Sequence, residues 1–128
     1  MSDDIYADGM RVRREVLGDP HVDRAIAGTT ELTAPFQEFI TRYAWGSVWT
    51  RDGLDRATRS AITLALLAAL GHEHELAMHV RAARVNGLTP EQIGEVLLHT
   101  AVYAGVPAAN TGFAEAGKII AQIEKGAS

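Results

Sequence analysis

The sequence predicts an all-α protein, a single-domain helical bundle of six to seven helices that occupies residues 1–128. Two observations favour this fold class. Residues that cap or end helices recur along the whole chain, and no run shows the sustained alternation of apolar and polar residues that is typical of a strand. Composition agrees, since 128 residues that are 47% hydrophobic and 22% charged suit one ordinary globular domain.

Three helices are predicted in the first half of the chain from N-cap and proline signals. Their predicted beginnings are Asp3 or Asp4, Asp19-Pro20 and Thr33-Ala34-Pro35. The first helix is expected to end at Gly18 and the second at Ala27, whereas the third carries apolar side chains as far as Trp45. A glycine-bracketed loop is expected over residues 44–53.

Four further helices are predicted in the second half. Their predicted beginnings are Asp52 or Asp55, His72, Thr89-Pro90 and about Ala108, and their predicted ends are Gly71, Asn86-Gly87, Gly105-Val106-Pro107 and about Ile123. Thr89 and Gln92 form a capping box, and Asn86-Gly87 is a left-handed C-cap signal. Residues 61–70 are apolar nearly all round, which indicates a helix buried on every side. Part of that burial is expected to come from another subunit of a homo-oligomer.

Charge and cysteine content exclude several classes of function. The net charge is −4 and the arginines are spread along the chain, unlike the basic surface of a nucleic-acid-binding protein. The chain has no cysteine, so thiol catalysis, disulfides and cysteine-ligated zinc are excluded. No apolar run is long enough to span a membrane, and the N-terminus lacks the basic and apolar regions of a signal peptide. A cytoplasmic protein is therefore expected.

The most informative stretch is the histidine-rich helix. At about 100° per residue, His72, Glu75 and His79 lie within about 60° of one another, on the side of the helix that also carries Leu76 and Ala83. Burying ionisable groups is costly unless they are paired or used, so a core-facing stripe of this kind suggests an active-site helix. The alternative is a solvated, salt-bridged face.

The histidines of this helix are also candidate metal ligands. His74 and His79 are five residues apart, about 140° around the helix, so they cannot share one ion. His72 and His79 do align, but they lie about 10 Å apart along the axis, and a shared ion would need further ligands from elsewhere. No metal ligands are therefore assigned, although a metal-binding protein that uses the histidine cluster remains an alternative.

A second cluster combines aromatic and cationic side chains. Trp45, Trp49 and Arg51 form either a packing corner or an apolar wall with a cation for a small anionic ligand. Arg59 lies on the predicted central helix and needs a carboxylate partner, from the protein or from a ligand. Arg13 and Arg14, near the start of the chain, are predicted to be surface charges. With no nucleophile signature present, any chemistry must depend on His, Glu and Arg side chains.

The chain resembles the 4-carboxymuconolactone decarboxylase (γ-carboxymuconolactone decarboxylase) family of the alkylhydroperoxidase D-like superfamily. The segments that carry the resemblance are Met10–Gly18, Glu38–Gly46, Trp49–Arg51, Thr58–Ser60, Glu75–Ala83 and Tyr103–Asn110. Superfamily members with peroxidase activity use a Cys-x-x-Cys-x-x-x-His motif. Here His72, Glu75 and His79 stand at that spacing, without a thiol.

The resemblance implies a fold, an assembly and a reaction. The family fold is an all-α bundle in homo-oligomers, commonly hexamers, with sites near subunit interfaces. The implied reaction is the cofactor-free decarboxylation of a small dianionic lactone in protocatechuate catabolism through the β-ketoadipate pathway. The substrate's own lactone carbonyl would take up the electron pair. The sequence leaves open a related decarboxylase or isomerase acting on another lactone or keto acid, and a noncatalytic binding module.

The resemblance also suggests roles for individual residues. His79 is expected to deliver the proton or to meet the enolate oxygen, because imidazole side chains ordinarily titrate near neutral pH. Glu75, one turn earlier, would orient His79 or favour its protonated form. The expected substrate-binding residues are the carboxylate-binding Arg51 and Arg59, the apolar wall of Trp45 and Trp49, and Tyr103.

Overall fold

A computed structural model describes residues 2–126 of the chain, with side chains from Asp4 onward. The prediction of an all-α protein with six to seven helices is confirmed, since the described residues form seven α-helices and one π-helical segment, and none of them lies in a strand. The elements are α1 Ser2–Leu17, α2 Asp19–Ala27, α3 Ala34–Ile40, the π segment Thr41–Val48, α4 Arg56–Leu70, α5 Glu73–Val85, α6 Pro90–Ala104 and α7 Val106–Glu124. Contacts divide the chain into two compact units between Leu54 and Asp55.

The first unit is built on the packing of α1 against the π segment. Gly9 on α1 and Gly46 on the π segment let the two backbones approach closely. A Cβ atom at Gly9 would overlap the carbonyl oxygen of Thr41, and one at Gly46 would lie 2.6 Å from the carbonyl oxygen of Ile5. Around this contact, the side chains of Val12, Val16, Val22 and Trp45 are buried.

The π segment corrects the prediction of a loop over residues 44–53. Residues 44–48 are helical, and the irregular stretch begins only after them. The Trp49 N–H donates to the Ala44 carbonyl at 2.9 Å, the five-residue spacing of a π-helix. The Ser47 hydroxyl donates to the Arg42 carbonyl across the same spacing at 3.0 Å. The wide turn arises where the chain packs on α1, and capping signals do not report such a contact.

The second unit consists of α4 to α7. Its core contains Leu64, Leu76, Val80, Ile93 and Leu97, all 1% exposed or less. The capping predictions here are confirmed: the Asp55 carboxylate accepts from the Thr58 N–H at 2.7 Å, and the capping box that opens α6 is complete. Gly71 and Gly87 adopt the positive φ values that helix ends require.

Burial of α4 is only partial within one chain, and the prediction assigns part of the burial to another subunit. Within one chain this helix is not buried on every side, because Ile62, Leu66 and Leu70 are 45%, 55% and 67% exposed. These residues are four apart and form one apolar stripe, opposite the buried Leu64 and Ala68.

Several predicted boundaries shift by one or two residues. Helix α2 begins at Asp19 with Gly18 as its N-cap, and α7 begins at Val106 rather than at Ala108. Asp4 is already inside α1, while the side chain of Asp3 lies outside the described residues. Within residues 2–126, no helix is long and apolar enough to cross a membrane.

Candidate active site

His79 is the predicted site residue that lies among the core residues of the second unit. It lies on α5 between the buried residues Leu76, Val80 and Ala83, and its own side chain is half-buried with the Nδ1 atom fully enclosed. Three buried side chains therefore lie within about one helix turn of His79 on α5. A partly buried imidazole on such a helix can serve as a positioned acid or hydrogen-bond donor.

The other members of the predicted stripe are not core-facing. Glu75 is exposed, and His72 is exposed at the N-cap position of α5 rather than within the helix. The prediction of a buried ionisable stripe is therefore wrong for these two residues. Leaving a carboxylate in water avoids the large cost of desolvating it, so Glu75 and His79 share a helix side while differing in burial.

Arg59 lies near the start of α4, which pairs with α5 as an antiparallel hairpin. The side-chain amide of Asn86 donates to the buried hydroxyl of Ser60 at 2.9 Å, which fixes the register of the two helices. His79 lies about two turns before Asn86 on α5, whereas Arg59 is next to Ser60, so the two side chains lie at different levels of the hairpin. The Arg59 side chain is half-buried and its Nε atom is enclosed. The second unit therefore carries an imidazole and a guanidinium at two levels of one hairpin.

The predicted tryptophan cluster lies in the first unit. The rings of Trp45 and Trp49 are 5.1 Å apart at 30°, and Trp45 is only 6% exposed whereas Trp49 is half-buried. Trp45 is thus part of the core of its unit, as the packing-corner interpretation requires. Trp49 keeps an accessible face. Arg51 follows the π segment and is exposed.

Tyr103 lies near the end of α6 and is 80% exposed. Its ring is 5.1 Å from that of His99, which is also exposed. Within one chain, a tyrosine ring as exposed as this one has little surrounding surface with which to hold a substrate. Among residues 2–126, no three His, Asp or Glu side chains are grouped so that they could hold a metal ion.

Arg13 was predicted to be a surface charge, and that prediction is wrong. Its side chain is only 4% exposed, and it donates to the Thr41 hydroxyl at 3.2 Å and to the Gln37 side-chain oxygen at 3.0 Å. Residues 9, 12, 13 and 16 are all buried, at the spacing of one helix face. This periodicity was available in the sequence and places Arg13 on the inner side of α1.

Comparison with known proteins places the chain. Residues 34–118 match the model of the carboxymuconolactone decarboxylase family. The chain belongs to this family. All seven predicted site residues lie within the matched segment, whereas Arg13 lies outside it.

Curated relatives agree with the family match. The chain is 50% identical over 105 residues to a 4-carboxymuconolactone decarboxylase of Acinetobacter baylyi, which covers 82% of this chain and 78% of the relative. It is 46% identical over 103 residues to the nitrosuccinic acid decarboxylase npaB of Metarhizium robertsii, with 80% and 72% covered. A 4-carboxymuconolactone decarboxylase of Pseudomonas putida is 54% identical over 41 residues, 32% of this chain and 85% of the relative. The predicted family and the predicted enzyme class, a decarboxylase, are confirmed.

Proposed function

We propose that this family member decarboxylates 4-carboxymuconolactone to the β-ketoadipate enol-lactone in the catabolism of aromatic compounds, in the cytoplasm and without a cofactor. The observation that carries the proposal is 50% identity, over 82% of the chain, to a relative that bears this activity as its name.

The substrate's own structure supplies what a cofactor supplies elsewhere. The bond between the ring carbon and its carboxylate breaks, and CO₂ leaves. The electron pair moves through the ring alkene onto the lactone carbonyl oxygen, which gives a furan-like enolate. A proton then adds to the ring carbon next to that carbonyl. The enzyme is left with three tasks: anchoring two carboxylates, stabilising the negative oxygen and delivering one proton.

The substrate in the name of the Metarhizium relative has similar chemistry and provides a second candidate substrate class. Nitrosuccinic acid is also a dicarboxylic acid, and its nitro group can accept the electron pair that decarboxylation releases. Both named substrates therefore combine two carboxylates with a built-in electron acceptor. A decarboxylase for another such diacid is the second candidate function, and 46% identity to this relative favours it.

The second unit offers residues for two of the three tasks. We assign proton delivery, or a hydrogen bond to the enolate oxygen, to His79. Because its Nδ1 atom is enclosed, the Nε2 atom is the nitrogen we expect to meet the substrate. Arg59, on the partner helix of the same hairpin, would bind a carboxylate, which is the anion that a guanidinium fork matches best. Glu75 would act on His79 from the exposed side of the turn.

The remaining predicted residues carry separate proposals. Arg51 would bind a carboxylate, and Trp49 would supply an apolar face with Trp45 behind it. Tyr103, being exposed, would need a second subunit beside it to become part of a binding site. Substitution of Arg51, Trp49 or Tyr103 is expected to raise KM while the protein remains folded.

We also propose that the protein is a homo-oligomer, with a hexamer favoured. Large apolar side chains stay exposed on the second unit of a single chain: Ile62, Leu66, Leu70, Leu98, Val102, Tyr103 and Val106. Exposed apolar surface of this kind commonly marks a protein interface. Light scattering coupled to gel filtration tests the assembly. A monomer at micromolar concentration would contradict the proposal. Leu66→Glu places a charge on the exposed apolar surface and is expected to lower the measured mass of the assembly.

The experiment that decides between the two substrate classes is a comparison of kcat/KM. 4-Carboxymuconolactone, generated in situ from 3-carboxymuconate by its cycloisomerase, and nitrosuccinic acid would be offered to the same purified protein. The proposal expects the lactone to be preferred by orders of magnitude. A preference for nitrosuccinic acid would transfer the protein to the second candidate function, and turnover of neither would contradict both.

A further inference from the structure

The first unit contains a cavity of about 300 Å³ beside Arg13. Apolar and neutral polar side chains make up most of its lining, among them Met10, Ile26, Thr29 and Thr41. All its lining residues belong to the first unit, and five of the nine precede the segment that matches the family. The cavity is thus built largely from a part of the chain that the family match does not cover.

Arg13 is a buried cation without a carboxylate partner among the described side chains. Its two hydrogen bonds go to neutral oxygens, on Thr41 and Gln37, and its Nε atom is buried with no hydrogen-bond partner in the described chain. A guanidinium carries five N–H donors, so three are left over after those two bonds. Burial lowers the pKa of Arg13 from its ordinary value, although an arginine remains charged at any physiological pH.

Leaving a buried charge in this state is costly, and proteins ordinarily provide a counter-ion. Glu38 supplies the carboxylate that lines the same cavity, but this carboxylate is 62% exposed and lies 3.8 Å from Arg42. Because Nε is enclosed, the donors of Arg13 that an anion in the cavity could meet are the Nη hydrogens that Thr41 and Gln37 leave over. Thr41, which fixes one Nη atom of Arg13, is also the first residue of the π segment, a kind of helix that often marks functional sites.

We propose that the cavity beside Arg13 is a binding site for a small organic carboxylate. The carboxylate accepts a hydrogen bond from a remaining Nη donor of Arg13, while an apolar body packs against Met10 and Ile26. The cavity is at the small end of the range for ligand sites, so the ligand is about the size of one ring. The lining of this cavity contains none of the seven residues to which the decarboxylation is assigned.

The test uses sodium benzoate as the probe, with benzamide as its neutral analogue, on the intact protein. Calorimetry is expected to show binding of benzoate and much weaker binding of benzamide. In ¹H–¹⁵N spectra, benzoate should shift amide signals from α1 and α3. The Arg13→Met variant should weaken benzoate binding at least about tenfold, the loss expected for one charge-assisted hydrogen bond.

Two control variants distinguish binding in this cavity from binding of benzoate elsewhere on the protein. Arg11, on the exposed side of α1, pairs with Asp8 and Glu15, so Arg11→Met should bind benzoate like the wild-type protein. The exposed residue Ala34 lines the cavity, and Ala34→Phe should block it while leaving Arg13 intact. If Arg13→Met does not fold, benzoate binding by Ala34→Phe, compared with the wild-type protein, tests the proposal.

The proposal fails if Arg13→Met, or a folded Ala34→Phe, binds benzoate as tightly as the wild-type protein. It also fails if benzamide binds equally well, or if the shifted signals map to α5 instead. His79→Gln should retain benzoate binding, so the outcome here is independent of whether the decarboxylase proposal holds.

Discussion

The close contact between α1 and the π segment leads to a quantitative prediction for Gly9→Ala. Alanine is favoured over glycine inside a helix by about 1 kcal/mol, so helix propensity alone predicts a more stable protein. At this position, however, the new Cβ atom would overlap the backbone carbonyl of Thr41, and it would lie 2.9 Å from the Gly46 nitrogen. Backbone atoms cannot rotate away as a flexible side chain can, so the π segment must shift.

The size of the effect follows from the difference between these two contributions. Overpacking a tight site costs up to about 3 kcal/mol, and subtracting the propensity gain leaves a net loss of about 2 kcal/mol. For a domain of this length, that loss lowers Tm by about 8 °C. Gly94 is the matched control, since it is also inside a helix but has no atom within 4 Å of an added Cβ. Gly94→Ala should raise Tm by about 4 °C.

Thermal denaturation followed by circular dichroism, at one protein concentration for all variants, measures both changes. Opposite signs for the two substitutions are expected. If Gly9→Ala raises Tm as Gly94→Ala does, the close packing of α1 on the π segment would be refuted.

The remaining predictions concern caps, core and chemistry. Thr89→Ala removes the capping box of α6 and should cost about 1 kcal/mol, seen as a Tm lower by about 4 °C; an unchanged Tm would contradict the cap. Hydrogen bonds from Thr58 hold the pKa of Asp55 below its ordinary value. The ionised carboxylate therefore stabilises the fold at neutral pH, and this stabilisation is lost as the pH falls through the folded-state pKa. Asp55→Ala should therefore lower Tm at pH 7, with a gap that closes in strong acid, and a gap independent of pH would refute this. Leu97→Ala should cost about 2–5 kcal/mol in chemical denaturation, because this side chain is 1% exposed in the core of the second unit. His79→Gln should lower kcat by about 10²- to 10⁴-fold with the fold retained, whereas His74→Gln, a change at an exposed histidine of the same helix, should leave kcat unchanged.

Local signals in the sequence predicted most of the fold. The capping box at Thr89, the N-cap at Asp55 and the glycine at position 71 each act within a few residues, so the boundaries they predict appear in the structure. The π segment could not be predicted in this way, because it depends on α1 meeting it at Gly9 and Gly46. A contact between residues so far apart in sequence leaves no periodic pattern.

Some features of the candidate site could likewise be predicted from the sequence, and others could not. His79 was singled out by its position on a helix side with Leu76, and the structure places it among buried residues. The exposure of Glu75 was missed, because periodicity predicts which side of a helix a residue lies on but not how deeply that side is covered. Arg13 differs from its prediction for another reason. Arginine side chains are mostly exposed, but the spacing of the buried residues Val12 and Val16 around Arg13 places it on the inner side of α1.

The most direct test of the central claim is turnover of 4-carboxymuconolactone by protein that has been dialysed against a chelator and assayed with chelator present. The protein is expected to consume the lactone rapidly and to release one CO₂ for each molecule consumed. The rate of consumption should be the same with and without chelator. Consumption no faster than the spontaneous reaction, by protein that circular dichroism shows to be folded, would contradict the proposed substrate. Activity that chelator abolishes and added metal restores would contradict the cofactor-free mechanism.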